Sequence, residues 1–274
     1  MMTGSIALLF ATLIGVFITP DGIVVGTDTA ISDLSGQVAS QQKYCVTGPH
    51  SVATMQGTYL LRDAVTKATT ELYDRFRDLC AEMDATPSPR RLREQAEYIA
   101  TMLKADLVAF LERVPAEEVV QTYSPSRVIA RIAVTGYGEK GPESVVVALG
   151  IATDRATNRW EAQVSSLSRL TFTECGVRFH GQESVVAALR TDTGVRIPPA
   201  ELRQPDVAKL TALLKGGCSD VSIRTAQAMF IQAVRLTMSL GAGFGIPKGA
   251  VGMPIDVAVI RRDGPVDVTH IESW

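Results

Sequence analysis

Segments that resemble β-strands and segments that resemble α-helices occur in separate groups along this chain of 274 residues. Apolar residues recur at three- and four-residue steps in 58–83 and in 90–113, which is the spacing of a helix with one buried face. The two prolines of "ATPSPR" separate these predicted helices. The later segments are predicted as strands at 128–136, 144–152, 159–165 and 170–180, helices within 181–190 and 206–240, and strands at 254–261 and 266–272.

This order of elements argues against a doubly wound parallel sheet, in which strands and helices alternate one by one. Groups of strands separated by pairs of helices favour an α+β fold with antiparallel sheets instead. We therefore expect a four-layer αββα sandwich, in which two antiparallel sheets face each other and helices pack outside each one. No linker rich in Gly, Ser or Pro divides the chain, so residues 12–274 are predicted to form a single domain.

The first residues are apolar but do not predict a membrane span. "IALLFATLIGVFI" (6–18) is too short to cross a bilayer as a helix. It lacks the Lys or Arg that opens a secretory signal, and Leu9 is too large for a typical cleavage site after Ala11. We expect 1–11 to be a leader or extension and the protein to be cytoplasmic, without a membrane partner. Export is the alternative if this segment is a signal peptide.

The composition excludes several classes of function. The chain is 46% hydrophobic and 20% charged with a formal net charge of −2, so no basic excess points to a nucleic-acid partner. The cysteines form no C-x-x-C pair and are interpreted as small buried hydrophobic residues rather than metal ligands or a disulfide framework. They are Cys45, Cys80, Cys175 and Cys218. With three histidines, a His-rich metal site is not expected, and no cofactor is predicted.

Four polar or small residues near the first strands are candidates for a reactive site. Two apolar runs flank the turn at 20–22 and predict a β-hairpin, whose antiparallel pairing brings Thr12 and Asp28 to the same edge. Lys43 begins the next apolar run, "KYCV". Gly57 follows "SVATMQ" directly before a predicted helix, where glycine permits close backbone approach and leaves N–H groups for an anion.

The spacing of Thr12, Asp28, Lys43 and Gly57 resembles that of proteasome β-type subunits, which are N-terminal nucleophile hydrolases. "DGIVVGTD" is similar to the second strand of that family, with its acid in place. The fourteen positions from Lys43 to Gly57 (57 − 43) match the family's interval between its lysine and its oxyanion-hole glycine. "MPIDVAVIRRDG" (253–264) resembles the strand and turn after the family's last catalytic loop, so the resemblance spans about 12–264.

The resemblance implies a threonine-type peptidase or amidohydrolase that is activated by removal of 1–11. The Thr12 hydroxyl would attack a carbonyl, and its freed α-amine, with an ordinary pKa of about 7.7–8.0, would act as the base. Lys43, kept charged by Asp28, would assist the hydroxyl, and the Gly57 N–H would bind the oxyanion. A peptide or small amide substrate and a homo-oligomeric assembly are further implications, and no metal or organic cofactor is required.

Two departures from the family pattern leave an alternative open. The family places an acid and a serine before its last strands, where this chain has Lys248 and Val251, and "GAGFGIPKGAVG" contains neither residue type. A third expected serine falls on His180, which either replaces it or is a histidine satisfied by neighbouring backbone. Taken singly, each of the four candidate residues also has a structural explanation. The alternative is therefore a catalytically inactive, proteasome-like structural or binding subunit.

Overall fold

The computed structural model describes residues 12–32, 38–57, 60–62, 69–85, 91–114, 128–154, 157, 159–171, 175–191, 197–217, 221–246 and 249–273. The strands are β1 (Leu13–Thr19), β2 (Gly22–Asp28), β3 (Ala30–Ser32), β4 (Val38–Ser40), β5 (Tyr44–Gly48), β6 (Ser51–Gly57), β7 (Leu60–Arg62), β8 (Thr69–Glu71), β9 (Val128–Gly138), β10 (Gly141–Thr153), β11 (Trp160–Thr171), β12 (Gly176–Gly181), β13 (Ile255–Ile260) and β14 (Asp267–Ile271). The helices are α1 (Leu72–Asp84), α2 (Leu92–Leu111), α3 (Ser184–Arg190), α4 (Pro199–Leu202), α5 (Pro205–Leu214) and α6 (Ile223–Leu240), and α6 runs into a short 3-10 helix at Gly241–Phe244.

Two five-stranded antiparallel sheets form the centre of the α+β fold, as the sequence predicts. The first sheet has the order β12-β1-β2-β13-β14, and the second has the order β11-β10-β9-β6-β5. Two short hairpins, β3–β4 and β7–β8, lie outside these sheets. The chain therefore enters the first sheet, crosses to the second, and returns to the first with its last strands.

The first hairpin lies in the middle of the first sheet, with both of its strands fully buried. β1 pairs with β2 from Ile14↔Thr27 to Thr19↔Gly22. The turn is held by the Thr19 hydroxyl, which donates to the Gly22 carbonyl and accepts from the Gly22 N–H. Because the strands are buried on both faces, they read as continuous apolar runs rather than as alternating ones.

Three clusters of apolar side chains occupy the two faces of these sheets. Alternate residues of the first hairpin contact the second sheet, in a cluster that includes Val16, Ile18, Val25 and Val52. The opposite face of the first sheet packs against α6, and the Phe230 ring lies over the hairpin. On the second sheet, α1 and α2 cover the outer face in a cluster that contains Met55, Phe76, Ile99 and Val134.

The predicted helix at 58–83 is wrong at Leu60–Arg62 and Thr69–Glu71, whereas 58–59 and 63–68 lie outside the described residues. Leu60–Arg62 and Thr69–Glu71 pair as antiparallel strands, and α1 begins only at Leu72. Two consecutive threonines, Thr69 and Thr70, favour extended backbone, and the few apolar residues before them fit either period. Gly57 therefore ends β6 and is not followed directly by a helix.

The later predicted elements are confirmed, although the end of β11 and the start of β12 each lie six residues from their predicted positions. The second predicted helix is α2, and the last predicted helix is α6. The predicted strands correspond to β9 through β14. Among the described residues, none of the helices combines the length and the apolar character needed to cross a bilayer.

The interpretation of the cysteines as small buried hydrophobic residues outside any disulfide is wrong for Cys45, Cys80 and Cys175, which are all disulfide-bonded. Cys45 on β5 and Cys80 on α1 form a disulfide across a sequence separation of 35 residues. Their spacing gives no motif, because the pairing arises only when α1 packs on β5. The disulfide thus joins the second sheet to its covering helix.

Candidate active site

A buried ion pair lies where β2 ends. The Lys43 Nζ donates to the Asp28 Oδ2 at 3.2 Å and to the Ala30 carbonyl at 2.6 Å. The Leu13 N–H donates to the other carboxylate oxygen, Oδ1, at 2.7 Å. The side chains of Asp28 and Lys43 are almost completely removed from solvent. The structure therefore brings two of the four candidate residues into direct contact, beside the residue that follows Thr12.

Burial and charge act against each other on this pair. Burial raises the pKa of Asp28 to about 6, although the Lys43 charge and the hydrogen bonds from the Leu13 N–H, Lys43 and the Gly252 N–H lower it. Burial lowers the pKa of Lys43, and the Asp28 carboxylate raises it. Each charge depends on the other because an unpaired buried charge is very unfavourable.

Thr12 is fully buried directly before β1. Its carbonyl accepts a hydrogen bond from the Gln182 N–H at 2.8 Å, which ties it to the end of β12. Among the described residues, its hydroxyl has no partner with complete hydrogen-bond geometry. A buried hydroxyl in this state is available for a reaction that supplies a partner.

Tyr73, on the first turn of α1, is the aromatic neighbour of Thr12. Its phenol donates to the Met55 carbonyl at 2.8 Å and is fully buried. Burial and the Asp28 charge raise the pKa of Tyr73, and a weaker interaction with the Thr12 hydroxyl lowers it. The Thr12 hydroxyl therefore approaches the phenol without full hydrogen-bond geometry.

Gly57 occupies a position that only glycine fits. Its φ is +132°, and an added Cβ would lie 2.2 Å from the Ile129 carbonyl oxygen. The preceding residue, Gln56, reaches towards the first sheet, where its Oε1 lies 3.6 Å from the place a Cβ of Gly181 would take. Gly181 in turn packs against the Thr12 carbonyl. The end of β6 thus approaches Thr12 through Gln56 and Gly181.

The loop before β13 supplies a backbone donor where the sequence lacks an acid and a serine. Val251 is buried and apolar, and Lys248 lies outside the described residues. The Gly252 N–H hydrogen-bonds to Asp28, and the Pro254 carbonyl accepts from both the N–H and the hydroxyl of Thr29. This loop is therefore connected to the ion pair through main-chain groups.

His180 lies on β12, opposite Ile14 of β1. Its Nε2 is buried and has no hydrogen-bond partner among the described residues, so neighbouring backbone does not satisfy this nitrogen. Burial, followed by the charges of Arg178 and Arg131, lowers the pKa of His180 to about 4. The ring is therefore neutral at pH 7.

Sequence reasoning did not identify Tyr73 or Gly252. Tyr73 lies within the predicted helix at 58–83, where a tyrosine beside an apolar face was the one available signal. Gly252 acts through its backbone N–H, which no side-chain motif could reveal. In the described part of the chain, no group of three or more His, Cys, Asp or Glu residues is placed to hold a metal ion.

The two antiparallel sheets and their element order define a proteasome-like fold. The structure is similar to that of Anbu from Pseudomonas aeruginosa, solved as a helical assembly, with a TM-score of 0.52, 10% identity, and coverage of 95% of this chain and 87% of that one. A Gly-1 mutant of Anbu from Hyphomicrobium sp. strain MC1 gives a TM-score of 0.46, 13% identity, and coverage of 96% and 88%. No known family profile matches the sequence, and no curated protein matches it significantly. At this identity, the likeness shows the fold alone.

Proposed function

We propose that this protein is a threonine-type amide hydrolase in which Thr12 becomes the N-terminal nucleophile after removal of 1–11. The observation that carries the proposal is the buried Asp28–Lys43 pair, which lies beside the buried Thr12. Replacing a buried ion pair with apolar residues is often neutral or stabilising, so stability alone does not explain its presence. Perturbed pKa values of this kind cluster at functional sites.

In the proposed mechanism, the freed Thr12 amine accepts the proton of the Thr12 hydroxyl, directly or through a water. The oxygen then attacks the substrate carbonyl, and the Lys43 ammonium favours this step because it lowers the proton affinity of the hydroxyl. The Gly57 N–H stabilises the oxyanion, a contribution of about 3–4 kcal/mol for one such donor. The amine returns the proton to the leaving group, and water hydrolyses the resulting ester.

The same geometry supports a role for Asp28 as the group that keeps Lys43 charged. Its Oδ2 accepts from Lys43 while Oδ1 accepts from the main chain next to the nucleophile. A carboxylate in this arrangement fixes both the charge and the position of the ammonium group. The substrate that we propose is a peptide or a small amide.

One observation favours the second candidate, a catalytically inactive structural or binding subunit. Where the resemblance expects a polar group to hold the nucleophile's amine, the buried side chain of Val251 is a hydrocarbon. A hydrocarbon cannot orient an ammonium or amine group. The intact Asp28–Lys43 pair argues for the hydrolase, and experiment can separate the two.

Three features of architecture and setting belong to the proposal. Helices α1 and α2 on one sheet, α6 on the other, and a shared apolar cluster between the sheets support a four-layer αββα sandwich built from one domain over 12–274. The helical assembly of one structural neighbour supports a homo-oligomer. The cytoplasmic location stays a prediction, and the Cys45–Cys80 disulfide favours export instead because such bonds persist in oxidising compartments.

The test begins with the intact mass of the purified protein. The hydrolase proposal expects a species that begins at Thr12 and cleaves fluorogenic peptides. Thr12→Ala should abolish both processing and turnover, while Thr12→Ser should retain part of each because it keeps the hydroxyl. Folded protein that remains full-length and inactive, or a Thr12→Ala variant with wild-type turnover, would overturn the proposal.

Thr27→Ala is the matched control for Thr12→Ala. Thr27 is also buried, its hydroxyl also lacks a hydrogen-bond partner among the described residues, and it lies on the neighbouring strand. The control removes the same atoms without removing the proposed nucleophile. The Thr27→Ala protein should therefore lose residues 1–11 and hydrolyse substrate at the wild-type rate.

A further inference from the structure

Polar side chains from both sheets converge at the end of the structure that holds Thr12. His180 lies opposite Ile14 on β1, and Arg178 lies opposite Val16, whose side chain belongs to the cluster between the sheets. Directly opposite residues of antiparallel strands point to the same face, and alternate residues of one strand share a face. His180, Arg178 and Thr12 are therefore on the face of the first sheet that looks towards the second.

The second sheet contributes polar side chains to the same end of the structure. Arg131 on β9 lies opposite Gln56 on β6. Gln56 has the same parity as Val52, which contacts the first sheet in the shared cluster. Gln56 also reaches Gly181 at the end of β12. We define the cleft by Arg131, Arg178, His180 and Gln56, beside Thr12.

The charges in this cleft favour an anion. Arg131 and Arg178 are both exposed, and neither forms an ion pair within 4.0 Å in the part of the chain that the structure describes. Both guanidinium groups lie near enough to His180 to lower its pKa. The buried Nε2 of that ring has no partner. A neutral imidazole can donate from Nε2, and an incoming oxygen atom would satisfy it.

Glu183 is the acidic group that faces the same cations. It lies at the start of α3, where the residue keeps an exposed surface while its carboxyl is partly covered. This partial burial raises the pKa of Glu183, and the charges of Arg178 and Arg131 lower it. A second carboxylate that entered the cleft would have to share the two arginines with Glu183. Its presence therefore weakens anion binding without preventing it.

We infer that this cleft binds a carboxylate of the substrate, with Arg131, Arg178 and the His180 Nε2–H as the recognising groups. The position of that carboxylate relative to the bond being cut rests on the proposed function, because the cleft adjoins Thr12. The guanidinium groups supply charge and planar donors, which suit a carboxylate better than a neutral amide. The carboxylate belongs either to an acidic side chain or to the end of a short peptide.

The test measures binding to the full-length Thr12→Ala variant, which cannot turn over substrate. Four peptides of one sequence are titrated by calorimetry, with Glu or Gln at one position and with a free or an amidated C-terminus. We expect the peptides that carry the recognised carboxylate to bind at least tenfold more tightly than their neutral counterparts. The Glu/Gln pair reports on a side-chain carboxylate, and the free/amidated pair reports on the chain end.

Variants then assign the effect to the cleft. Arg131→Gln and Arg178→Gln should each remove most of the preference, and Glu183→Gln should strengthen binding of the carboxylate peptide. Arg224→Gln is the matched control, because it removes the same charge from an exposed site on α6. NMR should also show a rise in the His180 pKa when the carboxylate peptide is bound, since an anion stabilises the protonated ring.

Equal affinity for all four peptides would overturn the inference, as would an equal loss of binding in Arg224→Gln. The outcome is separable from that of the proposed function. A carboxylate preference together with wild-type protein that never hydrolyses peptides would support the binding site and contradict the hydrolase. Hydrolysis by the wild-type protein without a carboxylate preference would support the hydrolase and contradict the binding site.

Discussion

Asp28 and Lys43 can both be buried in charged form because the charge of each is compensated by the opposite charge of the other. Removing one partner of such a pair leaves an uncompensated buried charge and typically costs about 3–5 kcal/mol of folding free energy. The additional acceptor for Lys43, the Ala30 carbonyl, and the main-chain donors to Asp28 reduce the cost of burial further. A lysine held in this way keeps one orientation, which is what a neighbouring nucleophile requires.

The raised pKa of Asp28 predicts an acid limb in the activity of the processed enzyme. As pH falls through about 6, the buried carboxyl gains a proton, and the charge of Lys43 loses its partner. Protonation of the Thr12 amine, with its ordinary pKa of about 7.7–8.0, already lowers kcat/KM for peptide hydrolysis. Loss of the Asp28 charge should therefore steepen this fall below about pH 6, well above the pKa of about 4 for an ordinary carboxyl. A pH–rate profile with one peptide substrate measures this directly.

The free energy of unfolding should not decrease over the pH range in which activity decreases. This difference distinguishes titration of Asp28 from unfolding as the cause of the lost activity. A carboxyl whose pKa is raised in the folded state contributes most to stability below its unfolded value of 3.8, and this contribution is lost as pH rises through about 6. The contribution of Asp28 to the free energy of unfolding thus increases while activity decreases. Loss of circular dichroism at the pH where the fall in kcat/KM steepens would contradict this explanation, and so would a steepening near pH 4 instead of about pH 6.

Tyr73 is expected to act as a positioning residue for Thr12. Tyr73→Phe keeps the buried ring but removes the hydroxyl that donates to the Met55 carbonyl and approaches Thr12. We expect kcat to fall by roughly tenfold or more with KM nearly unchanged, because a small displacement of the nucleophile raises the barrier without changing substrate binding. Steady-state kinetics of processed protein gives both constants.

Tyr98→Phe provides the comparison for this variant. The Tyr98 hydroxyl donates to Glu82 at 3.2 Å on the exposed side of the helices, so its removal also breaks one hydrogen bond. Its kinetic constants should equal those of the wild type. If Tyr73→Phe changed only the melting temperature, or if both variants slowed turnover equally, Tyr73 would have a structural role alone.

At the scale of elements, two glycines of the first sheet allow α6 to pack closely against it. Gly15 and Gly26 lie opposite each other in the first hairpin, and the Phe230 ring fills the space above them. An added Cβ would lie 2.7 Å from this ring at Gly15 and 2.2 Å from it at Gly26. The missing side chains therefore let the helix approach the strands that carry Thr12 and Asp28.

Gly26→Ala should destabilise the protein by about 1–3 kcal/mol, because a methyl group has no room beneath the ring. Gly243→Ala is the control, since nothing lies within 4 Å of the corresponding Cβ. Chemical denaturation measures both. Phe230→Leu should recover part of the loss in a double variant, and an unchanged midpoint for Gly26→Ala would show that α6 is not held by this contact.

Local patterns predicted the elements that depend on local contacts. The hairpin of β1 and β2 follows from two apolar runs and a turn, and its register brings the N–H of Leu13, the residue after Thr12, to the Asp28 carboxylate. The strands Leu60–Arg62 and Thr69–Glu71 were missed because few apolar residues there distinguish a helix period from a strand period. The pairing of these two strands with each other decides their structure instead.

Residues joined by tertiary contacts were beyond sequence reasoning for the same reason. Tyr73 meets Thr12 only when α1 lies on the second sheet, and Gly252 reaches Asp28 only when β13 pairs with β2. The spacing of Thr12, Asp28 and Lys43 could be found because it lies within one short stretch of chain.

At the scale of the whole molecule, the Cys45–Cys80 disulfide fastens α1 to the second sheet. Cys45 follows Lys43 by two positions, and α1 carries Tyr73, so the bond joins the two sides of the candidate site. Closing a loop of 35 residues restricts the unfolded chain and is worth about 4 kcal/mol in the chain-entropy description. The pair is therefore expected to stabilise the arrangement around Thr12 as well as the fold.

The double variant Cys45→Ala/Cys80→Ala should unfold at lower denaturant concentration than oxidised wild-type protein, by a free energy of up to about 4 kcal/mol. Cys45→Ala alone should lose nearly as much stability as the double variant, because either change breaks the disulfide. Equal losses would show that the missing cross-link, and not the missing side-chain volume, causes the destabilisation. Peptide mapping without reductant should recover the fragments containing residues 45 and 80 as one linked species. Separate fragments with alkylated thiols at both positions, or a double variant as stable as the wild type, would mean that packing alone holds α1 on its sheet.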